Sequence, residues 1–237
     1  MEQITERLDQ ADWHELGLAM HNKGYALMPG LLLPEECRQL IADYNKPSLY
    51  RKTITMERYR FGAGEYKYFQ YPLPALIQTI REQVYTRIAP IANTWMEAMK
   101  MDTRYPDSLK ALHDLCRLQQ QTKPTVLILK YGSGGHNTLH QDLYGDLFFP
   151  MQLVLFLNEP GKDYTGGEFV LTEQIPRAQS KAIVLQPKRG DMLLFTTNFR
   201  PAKGSKGYYR VHMKHGVSEI QEGTRHTLGI IFHDAQT

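Results

Sequence analysis

The stretch that organises this chain, residues 131 to 142, reads Tyr131-Gly-Ser-Gly-Gly-His-Asn-Thr-Leu-His140-Gln-Asp142. His140 and Asp142 are two residues apart, so on a β-strand their side chains point to the same face. An imidazole and a carboxylate are two of the three ligands that hold non-haem Fe(II) in a 2-His-1-carboxylate site. The third ligand must be a histidine from elsewhere, and His212 and His215 are candidates. Taken alone, such a pair is more often a hydrogen bond at the end of a strand than a metal site.

Composition indicates one globular domain without a membrane segment. The chain has 237 residues, 42% of them apolar, which is enough for one substantial core. No apolar run is long enough to cross a bilayer, and the N-terminus does not resemble a secretory signal. Cys37 and Cys116 are too few for a disulfide framework, so we expect free thiols and a cytoplasmic protein. The net charge of +3 does not by itself select a partner.

The first half of the chain is expected to be mainly helical. Apolar residues recur at helical spacing in four segments, which are 12 to 23, the segment opened by Pro34, 75 to 100, and 107 to 121. Pro90 is expected to kink or divide the third of these helices. Residues 25 to 28 are expected to form a short strand. Residues 46 to 74 are aromatic and basic without a clear period, and we expect an irregular loop there.

From Pro124 onward the pattern changes to short strands separated by Gly, Pro, Asn and Asp turns. The predicted strands are 125 to 131, 151 to 157, 167 to 172, 181 to 186, 191 to 196, 209 to 217 and 225 to 233. Short strands of this kind favour an antiparallel jelly roll. We therefore expect an α+β fold in one domain, residues 1 to 237. Its helical part, 1 to 123, buttresses a cupin-like double-stranded β-helix, 124 to 237.

Two further residues stand at fixed distances from the candidate ligands. Tyr131 lies nine residues before His140, and Arg225 lies ten residues after His215. With the glycine-rich turns between the two histidines, this ordered set resembles the Fe(II)- and 2-oxoglutarate-dependent dioxygenases over roughly residues 124 to 234. The resemblance implies Fe(II) as cofactor and 2-oxoglutarate and O2 as cosubstrates. It also implies that succinate and CO2 form while the substrate is oxidised.

The resemblance assigns roles to individual residues. It implies three metal ligands, which are His140, Asp142 and His215. His212 is the rival of His215, but Arg225 follows His215 at the interval that the family shows. Arg225 would hold the far carboxylate of 2-oxoglutarate through its bidentate guanidinium, and Tyr131 would be a second contact. Without the resemblance, Arg225 is a surface arginine and Tyr131 is a packed strand tyrosine.

Two further patterns are interpreted as structural. The Glu222-Gly223 turn is expected to send the chain from the His215 strand back along an adjacent strand that carries Arg225. His233 and Asp234 repeat a ligand-like pair near the C-terminus. We interpret that second pair as a hydrogen bond at a strand end.

The substrate is less clearly indicated. The segments around Leu139-His-Gln-Asp142 and Arg225 resemble AlkB-like nucleic-acid demethylases, and the whole chain is similar to a bacterial family of predicted nucleic-acid oxygenases. The partner implied is alkylated single-stranded DNA or RNA. Residues suited to contact phosphates or to stack on an unpaired base are Arg58, Arg60, Tyr66, Tyr68 and Arg210. The same aromatic residues can instead fill gaps between helices and sheet, and the arginines can form a solvated rim.

Two departures from the AlkB pattern favour other substrates. Ile231 stands where AlkB-like proteins carry a second arginine, and Leu129 stands where they carry an asparagine. In these respects the chain is more similar to prolyl-hydroxylase-type oxygenases. Hydroxylation of a protein side chain or of a small molecule is therefore the rival function. A non-catalytic cupin-like binding protein is a third alternative, against which the complete triad and Arg225 argue.

Overall fold

The computed structural model describes residues 3–236 of the chain. Its α-helices are α1 (Ile4–Gln10), α2 (Trp13–Lys23), α3 (Pro34–Asp43), α4 (Ala75–Ala98) and α5 (Leu109–Leu118). Its first strands are β1 (Tyr25–Met28), β2 (Tyr50–Thr55), β3 (Gly62–Ala63), β4 (Glu65–Phe69), β5 (Leu127–Tyr131), β6 (His136–His140) and β7 (Met151–Phe156). The later strands are β8 (Tyr164–Gly166), β9 (Phe169–Gln174), β10 (Lys181–Leu185), β11 (Met192–Thr196), β12 (Phe199–Gly204), β13 (Gly207–Val217), β14 (Ile220–Gly223) and β15 (Arg225–Ile231).

Most strands belong to two large antiparallel sheets, and β8 and β14 form a separate two-stranded sheet. The major sheet has seven strands in the order β1-β11-β7-β15-β5-β4-β2. The minor sheet has the order β10-β9-β13-β6-β3, with β12 paired to β13. Apolar side chains of the two sheets pack on each other, as Phe156 and Phe195 do on Phe169. This arrangement confirms the predicted α+β fold with a double-stranded β-helix.

The helical layer covers the outer face of the major sheet. On β7, Leu153 and Leu155 pack in the cluster that includes helix α4, whereas Val154 and Phe156 face the space between the sheets. Both faces of β7 are therefore buried, which explains its uninterrupted apolar sequence. The buttressing helical layer is confirmed.

Helix α4 differs from its prediction at Pro90. The helix runs unbroken from Ala75 to Ala98 with Pro90 inside it, so the expected division is wrong. Pro90 lies on the exposed side, while Ile88, Ala89 and Ala92 are fully buried. A proline removes one helical hydrogen bond, and the buried neighbours hold the helix together across that position.

Residues 46 to 74 are not an irregular loop. Strands β2 and β4 form an antiparallel hairpin, and β4 extends the major sheet by pairing with β5. The short strand β3 joins the minor sheet by pairing with β6. Tyr66 and Tyr68 alternate with Lys67 along β4, and Lys67 covers the ring of Tyr44 at 4.1 Å. The charged residues of this hairpin thus obscure a strand pattern of period two.

The strand carrying Arg225 is also placed differently from the prediction. β13 belongs to the minor sheet, whereas β15 lies in the major sheet between β5 and β7. The Glu222-Gly223 segment instead belongs to β14, which pairs with β8, so the chain crosses from one sheet to the other. This crossing places Arg225 across the barrel interior from the β13 histidine.

Two further predictions concern membrane segments and the cysteines, and residues 3–236 agree with both. Within that range, no helix is long and apolar enough to span a membrane. Cys37 and Cys116 are both buried and free of disulfides, as predicted. That residues 1 to 237 form a single domain remains a prediction.

Candidate metal centre

Three side chains meet where β6 and β13 run side by side. His140 ends β6 and lies directly opposite His215 on β13, so their ring centroids are 4.2 Å apart. Asp142 Oδ2 lies 3.2 Å from His215 Nε2, and Asp142 Oδ1 lies 3.6 Å from His140 Nε2. One ligand atom from each residue fits within 4.8 Å of the others, close enough to hold one metal ion. Asp142 lies beyond the end of β6, so the chain bends inward there and is not continuous strand as we expected.

Both histidines direct Nε2 towards Asp142. His140 Nδ1 lies 2.7 Å from the carbonyl oxygen of Thr138, which accepts a hydrogen bond only if Nδ1 carries the proton. This contact fixes the ring of His140 with Nε2 facing Asp142. Burial, together with the nearby His140, lowers the pKa of His215, so its ring is neutral. Neutral imidazoles are the form that binds a metal.

The carboxylate of Asp142 is ionised. Burial works in the opposite direction, but His215, His140 and the Tyr144 hydroxyl together hold the pKa of Asp142 well below its ordinary value. Tyr144 donates to Asp142 Oδ1 at 2.9 Å, and Tyr68 donates to the Tyr144 oxygen at 3.2 Å. The site therefore combines one carboxylate with two imidazoles, a set of donors that suits a divalent cation.

Gln141, the residue between His140 and Asp142, fixes the segment that carries these two candidate ligands. Gln141 Nε2 donates to the backbone oxygen of Asn198, to its side-chain oxygen and to the backbone oxygen of Met213, at 2.8–3.1 Å. Its side chain thus ties the chain between His140 and Asp142 to the start of β12 and to β13. This attachment limits how far the two ligands can move relative to each other.

Arg225 and Tyr131 are cross-strand partners deeper in the barrel. The Arg225 guanidinium is 1% exposed and lies 5.5–5.9 Å from the ring centroids of Tyr131, Phe156 and Tyr164. Its Nε and Nη1 atoms are buried and have no hydrogen-bond partner in the part of the chain that the structure describes. Burying an unpaired charge is costly. The arrangement therefore fits an anionic group that would accept from this guanidinium.

The Tyr131 hydroxyl is also directed into the interior. Asn137 Nδ2 donates to it at 3.3 Å, and burial raises the pKa of Tyr131 to about 12. The phenol consequently keeps its proton near neutral pH and can donate it. Together, Arg225 and Tyr131 offer donors suited to a carboxylate.

One cavity joins the triad to Arg225. It has a volume of about 240 Å³ and is lined by the three candidate ligands, by Arg225 and Tyr131, and by apolar residues that include Leu129, Val154 and Val217. A small dicarboxylate could reach from the triad to Arg225 within this space. The residues present therefore fit both Fe(II) and 2-oxoglutarate.

Of the five residues that the sequence suggests as substrate contacts, some lie at the cavity and others lie on the exposed surface away from it. Tyr66 lines the cavity, and Tyr68 is buried behind it against Tyr144. Arg58, Arg60 and Arg210 are exposed and do not line the cavity. Arg210 instead covers the ring of Phe199 at 5.0 Å. Substrate contact by these five residues remains a prediction.

Sequence reasoning did not find Tyr144, Phe61 or Asn137. All three line the cavity. Tyr144 follows Asp142 by two residues, and that spacing was the only available signal. Phe61 reaches the cavity because Thr138 N and Oγ1 both donate to its backbone oxygen, at 2.9 and 2.8 Å.

The matching protein family agrees with this chemistry. Residues 64–235 match the model of a family described as "Oxygenase, catalysing oxidative methylation of damaged DNA". This chain belongs to that oxygenase family. An uncharacterized protein of Mycobacterium tuberculosis (strain H37Rv) is 44% identical over 167 residues, which cover 70% of this chain and 72% of the relative.

Solved structures support the fold of this oxygenase. A Pseudomonas putida prolyl-4-hydroxylase has a TM-score of 0.54 at 12% identity and covers 95% of this chain and 100% of its own. A Trichoplax adhaerens prolyl hydroxylase, in complex with a peptide of hypoxia inducible factor, has a TM-score of 0.56 at 13% identity and covers 98% and 92%. The family, the fold and the His-Asp-His cluster identify an Fe(II)- and 2-oxoglutarate-dependent oxygenase, with Fe(II) as cofactor and 2-oxoglutarate and O2 as cosubstrates.

Proposed function

We propose that this oxygenase removes methyl groups from alkylated nucleic acid by oxidising them. In this proposal His140, Asp142 and His215 hold Fe(II), and Arg225 with Tyr131 holds the far carboxylate of 2-oxoglutarate. The observation that carries the reaction class is the buried Arg225 guanidinium, whose Nε and Nη1 have no partner among residues 3–236, in the same cavity as the triad. Metal ligands alone would suit a binding protein. The buried positive charge of Arg225 at the end of the same cavity, by contrast, favours an anionic cosubstrate.

The bound iron, with 2-oxoglutarate and O2, supplies the oxidation of a substrate C–H bond. The chain's own residues bind and orient. The two imidazoles and the carboxylate would hold the metal and leave room beside it for cosubstrates. Arg225 would fix one end of the dicarboxylate through its fork of donors, and apolar residues such as Leu129 and Val154 exclude water around it. Hydroxylation of an N-methyl group gives an N–CH2–OH group. Its C–N bond then breaks, formaldehyde leaves, and the hydroxyl proton passes to the nitrogen. Oxidation of this kind takes a methyl group off a base.

Features at the cavity mouth support a nucleic-acid substrate. Phe61 lines the cavity and stacks on Tyr59, with ring centroids 5.5 Å apart and an angle of 17° between the rings. Tyr59 and Phe61 are 53% and 44% exposed, and the neighbouring Arg58 and Arg60 are exposed too. Exposed aromatic faces stack on unpaired bases for about 1–3 kcal/mol per base. Arginines beside them suit phosphates.

Protein hydroxylation is the second candidate. It is favoured by Ile231, which stands where AlkB-like proteins carry a second arginine and which is buried in an apolar cluster. The solved structures named above include prolyl hydroxylases, and their likeness to this chain concerns the fold. A peptide substrate would need the same metal and 2-oxoglutarate sites, so the two candidates differ only at the mouth.

The test is a mass-spectrometric assay with Fe(II), ascorbate and 2-oxoglutarate. Single-stranded oligonucleotides containing N-methylated adenine or cytosine should lose the methyl mass, and an Asp142→Ala variant should be inactive. A Tyr59→Ala/Phe61→Ala variant should bind the oligonucleotide more weakly, whereas Tyr208→Ala, an exposed aromatic that does not line the cavity, should bind it normally. Succinate formed without any change in the oligonucleotides would refute the nucleic-acid substrate and favour a protein or small molecule. No succinate under any condition would refute the oxygenase mechanism.

A further inference from the structure

Two tyrosine hydroxyls form a short chain of hydrogen bonds that ends on Asp142. Tyr68 donates to the oxygen of Tyr144 at 3.2 Å, and Tyr144 donates to Asp142 Oδ1 at 2.9 Å. The other carboxylate oxygen, Oδ2, lies 3.2 Å from His215 Nε2. We propose that Tyr144, oriented by Tyr68, is a positioning residue that makes Asp142 bind the metal through Oδ2 alone. This inference rests on the metal centre proposed above.

The choice of one oxygen matters for the chemistry of such a site. A carboxylate that is free to turn can bind a metal through both oxygens, and the second bond would occupy a position that a cosubstrate needs. The Tyr144 hydroxyl holds Oδ1 by a hydrogen bond to an ionised acceptor, which is stronger than one between neutral groups. Oδ2 then remains free of this hydrogen bond and lies beside His215 Nε2, at 3.2 Å. The hydrogen bond therefore fixes the rotation of the carboxylate before a metal arrives.

The order of the two tyrosines follows from their protons. The Tyr144 hydroxyl lies 2.9 Å from Asp142 Oδ1, and a carboxylate oxygen accepts, so the Tyr144 proton points to Asp142. The Tyr144 oxygen then accepts, and Tyr68 supplies the proton, at 3.2 Å. Only one arrangement of protons satisfies all three groups, which fixes Tyr144 from both ends.

The fold places these tyrosines from two distant segments. Tyr68 lies on β4 of the hairpin, and Tyr144 lies in the loop between β6 and β7. Both pack in an apolar cluster with Ile54 and Leu127 of β2 and β5, and with Ile231 at the end of β15. The Arg51 guanidinium lies 4.6 Å from the centroid of the Tyr68 ring. Ile231 gives the cluster an apolar wall beside the two phenol rings.

A metal-binding titration without O2 tests this positioning role. Fe(II) and the spectroscopic probe Co(II) would be titrated into wild-type protein and into Tyr144→Phe, Tyr68→Phe and the double variant. We expect Tyr144→Phe to weaken metal binding by about 10–100-fold, as loss of a hydrogen bond to a ligand usually does. We also expect the visible spectrum of its Co(II) form to shift towards a higher coordination number. Tyr68→Phe should lose less, and the double variant should be no worse than Tyr144→Phe, because Tyr68 acts through Tyr144.

A matched control separates positioning from general packing. Tyr105 is a buried tyrosine whose hydroxyl donates to the backbone oxygen of Phe148 at 2.9 Å, and it does not line the cavity. Tyr105→Phe should leave metal affinity and the Co(II) spectrum unchanged. Circular dichroism of each metal-free variant checks the fold. If Tyr144→Phe does not fold, Tyr68→Phe carries the test, and unchanged affinity in that variant overturns the inference.

The outcomes distinguish this inference from the proposed function. A Tyr144→Phe protein with wild-type affinity and spectrum overturns the positioning role while the metal centre stands. Additive losses in Tyr68→Phe and Tyr144→Phe overturn the order of the chain. A wild-type protein that binds neither Fe(II) nor Co(II) overturns the metal centre itself, and the inference with it.

Discussion

Replacing Arg225 by methionine should make the ligand-free protein more stable while abolishing its response to 2-oxoglutarate. Arg225 is almost completely buried, and its Nε and Nη1 atoms have no hydrogen-bond partner among residues 3–236. A guanidinium held ready for an anion is a source of instability until that anion binds. Methionine keeps an unbranched apolar stem of similar length and removes the charge.

The magnitude follows from two opposing contributions. Each buried donor left without a partner costs about 1–3 kcal/mol, so the two cost about 2–6 kcal/mol. The rings of Tyr131, Phe156 and Tyr164, 5.5–5.9 Å away, offset part of this cost by about 0.5–1 kcal/mol each. We therefore expect Arg225→Met to raise the free energy of unfolding by about 1–3 kcal/mol. For a chain of this size, each kcal/mol shifts Tm by about 2–4 °C.

Urea unfolding measures both parts of the prediction. In metal-free buffer the midpoint for Arg225→Met should lie above that of wild type with an unchanged slope. With Co(II) and 2-oxoglutarate in the absence of O2, wild type should gain about 4.1 kcal/mol at 2-oxoglutarate concentrations about 1,000 times the dissociation constant, and the variant should gain nothing from 2-oxoglutarate. The two proteins should therefore exchange their order of stability when 2-oxoglutarate is added.

Arg81 provides a matched control with the opposite sign. Its guanidinium is also fully buried, but it donates to the backbone oxygens of Ile231 and Phe232, to Tyr71, and to Asp234 at 2.9 Å. Arg81→Met removes the cation that pairs with the buried Asp234 carboxylate, which keeps its hydrogen bonds from Tyr71, and should lower the free energy of unfolding by about 3–5 kcal/mol. If Arg225→Met were destabilised as Arg81→Met is, the guanidinium would have partners in the ligand-free state and the reasoning would be refuted.

Three further changes have expected outcomes. Gly167→Ala should lower the free energy of unfolding, measured in urea, by about 1–2 kcal/mol or more. The reason is that φ of Gly167 is +64° and a Cβ there would lie 2.2 Å from Ile220 Cδ1. Wild-type stability of the variant would refute this requirement for glycine. Tyr131→Phe should raise the 2-oxoglutarate concentration needed for half-maximal succinate formation while metal affinity stays constant, and an unchanged value would refute its contact with the cosubstrate. Burial lowers the pKa of three histidines from 6.5 to about 4, namely His113, His226 and His233. Between pH ~6.5 and ~4 these histidines are neutral in the folded protein and protonated in the unfolded chain. The free energy of unfolding should therefore be highest above pH ~6.5 and should fall as the pH drops to ~4, by about 4 kcal/mol per pH unit near pH ~5, where unfolding takes up about three protons. A flat profile of unfolding free energy across this window would contradict the assignment.

The barrel was predictable because local pattern determines it. Strands such as β7 and β11 are short apolar runs between turns, and this pattern can be recognised without knowing which strands they pair with. The cluster of His140, Asp142 and His215 was anticipated for a similar reason. Short spacing brings the first two together, and the family interval selects the third. His212, the rival, is exposed on β13 beside Asn198.

The hairpin of β2 and β4 could not be read from local pattern. Its exposed and half-buried positions carry tyrosines and lysines alike, so the period of two is hidden in the sequence. Its place in the fold depends on pairing with β5, about 60 residues later, where Tyr66 lies opposite Leu129. Long-range pairing of this kind leaves no signal in a window of ten residues. The crossing of the chain from β13 to β15 was missed for the same reason.

This hairpin connects the two parts of the proposed site. Phe61, which follows β2, lies at the cavity mouth, whereas Tyr68 on β4 ends the hydrogen-bond chain to Asp142. The backbone links them rigidly, since β3 pairs with β6 and β4 pairs with β5. A displacement of the mouth would therefore move the hydroxyl that orients the metal ligand. If the proposed roles hold, a nucleic acid bound at Tyr59 and Phe61 should change the Co(II) spectrum of wild type, and it should not do so in Tyr144→Phe. A spectrum that responds equally in both proteins would show that the mouth and the ligand are coupled by another route.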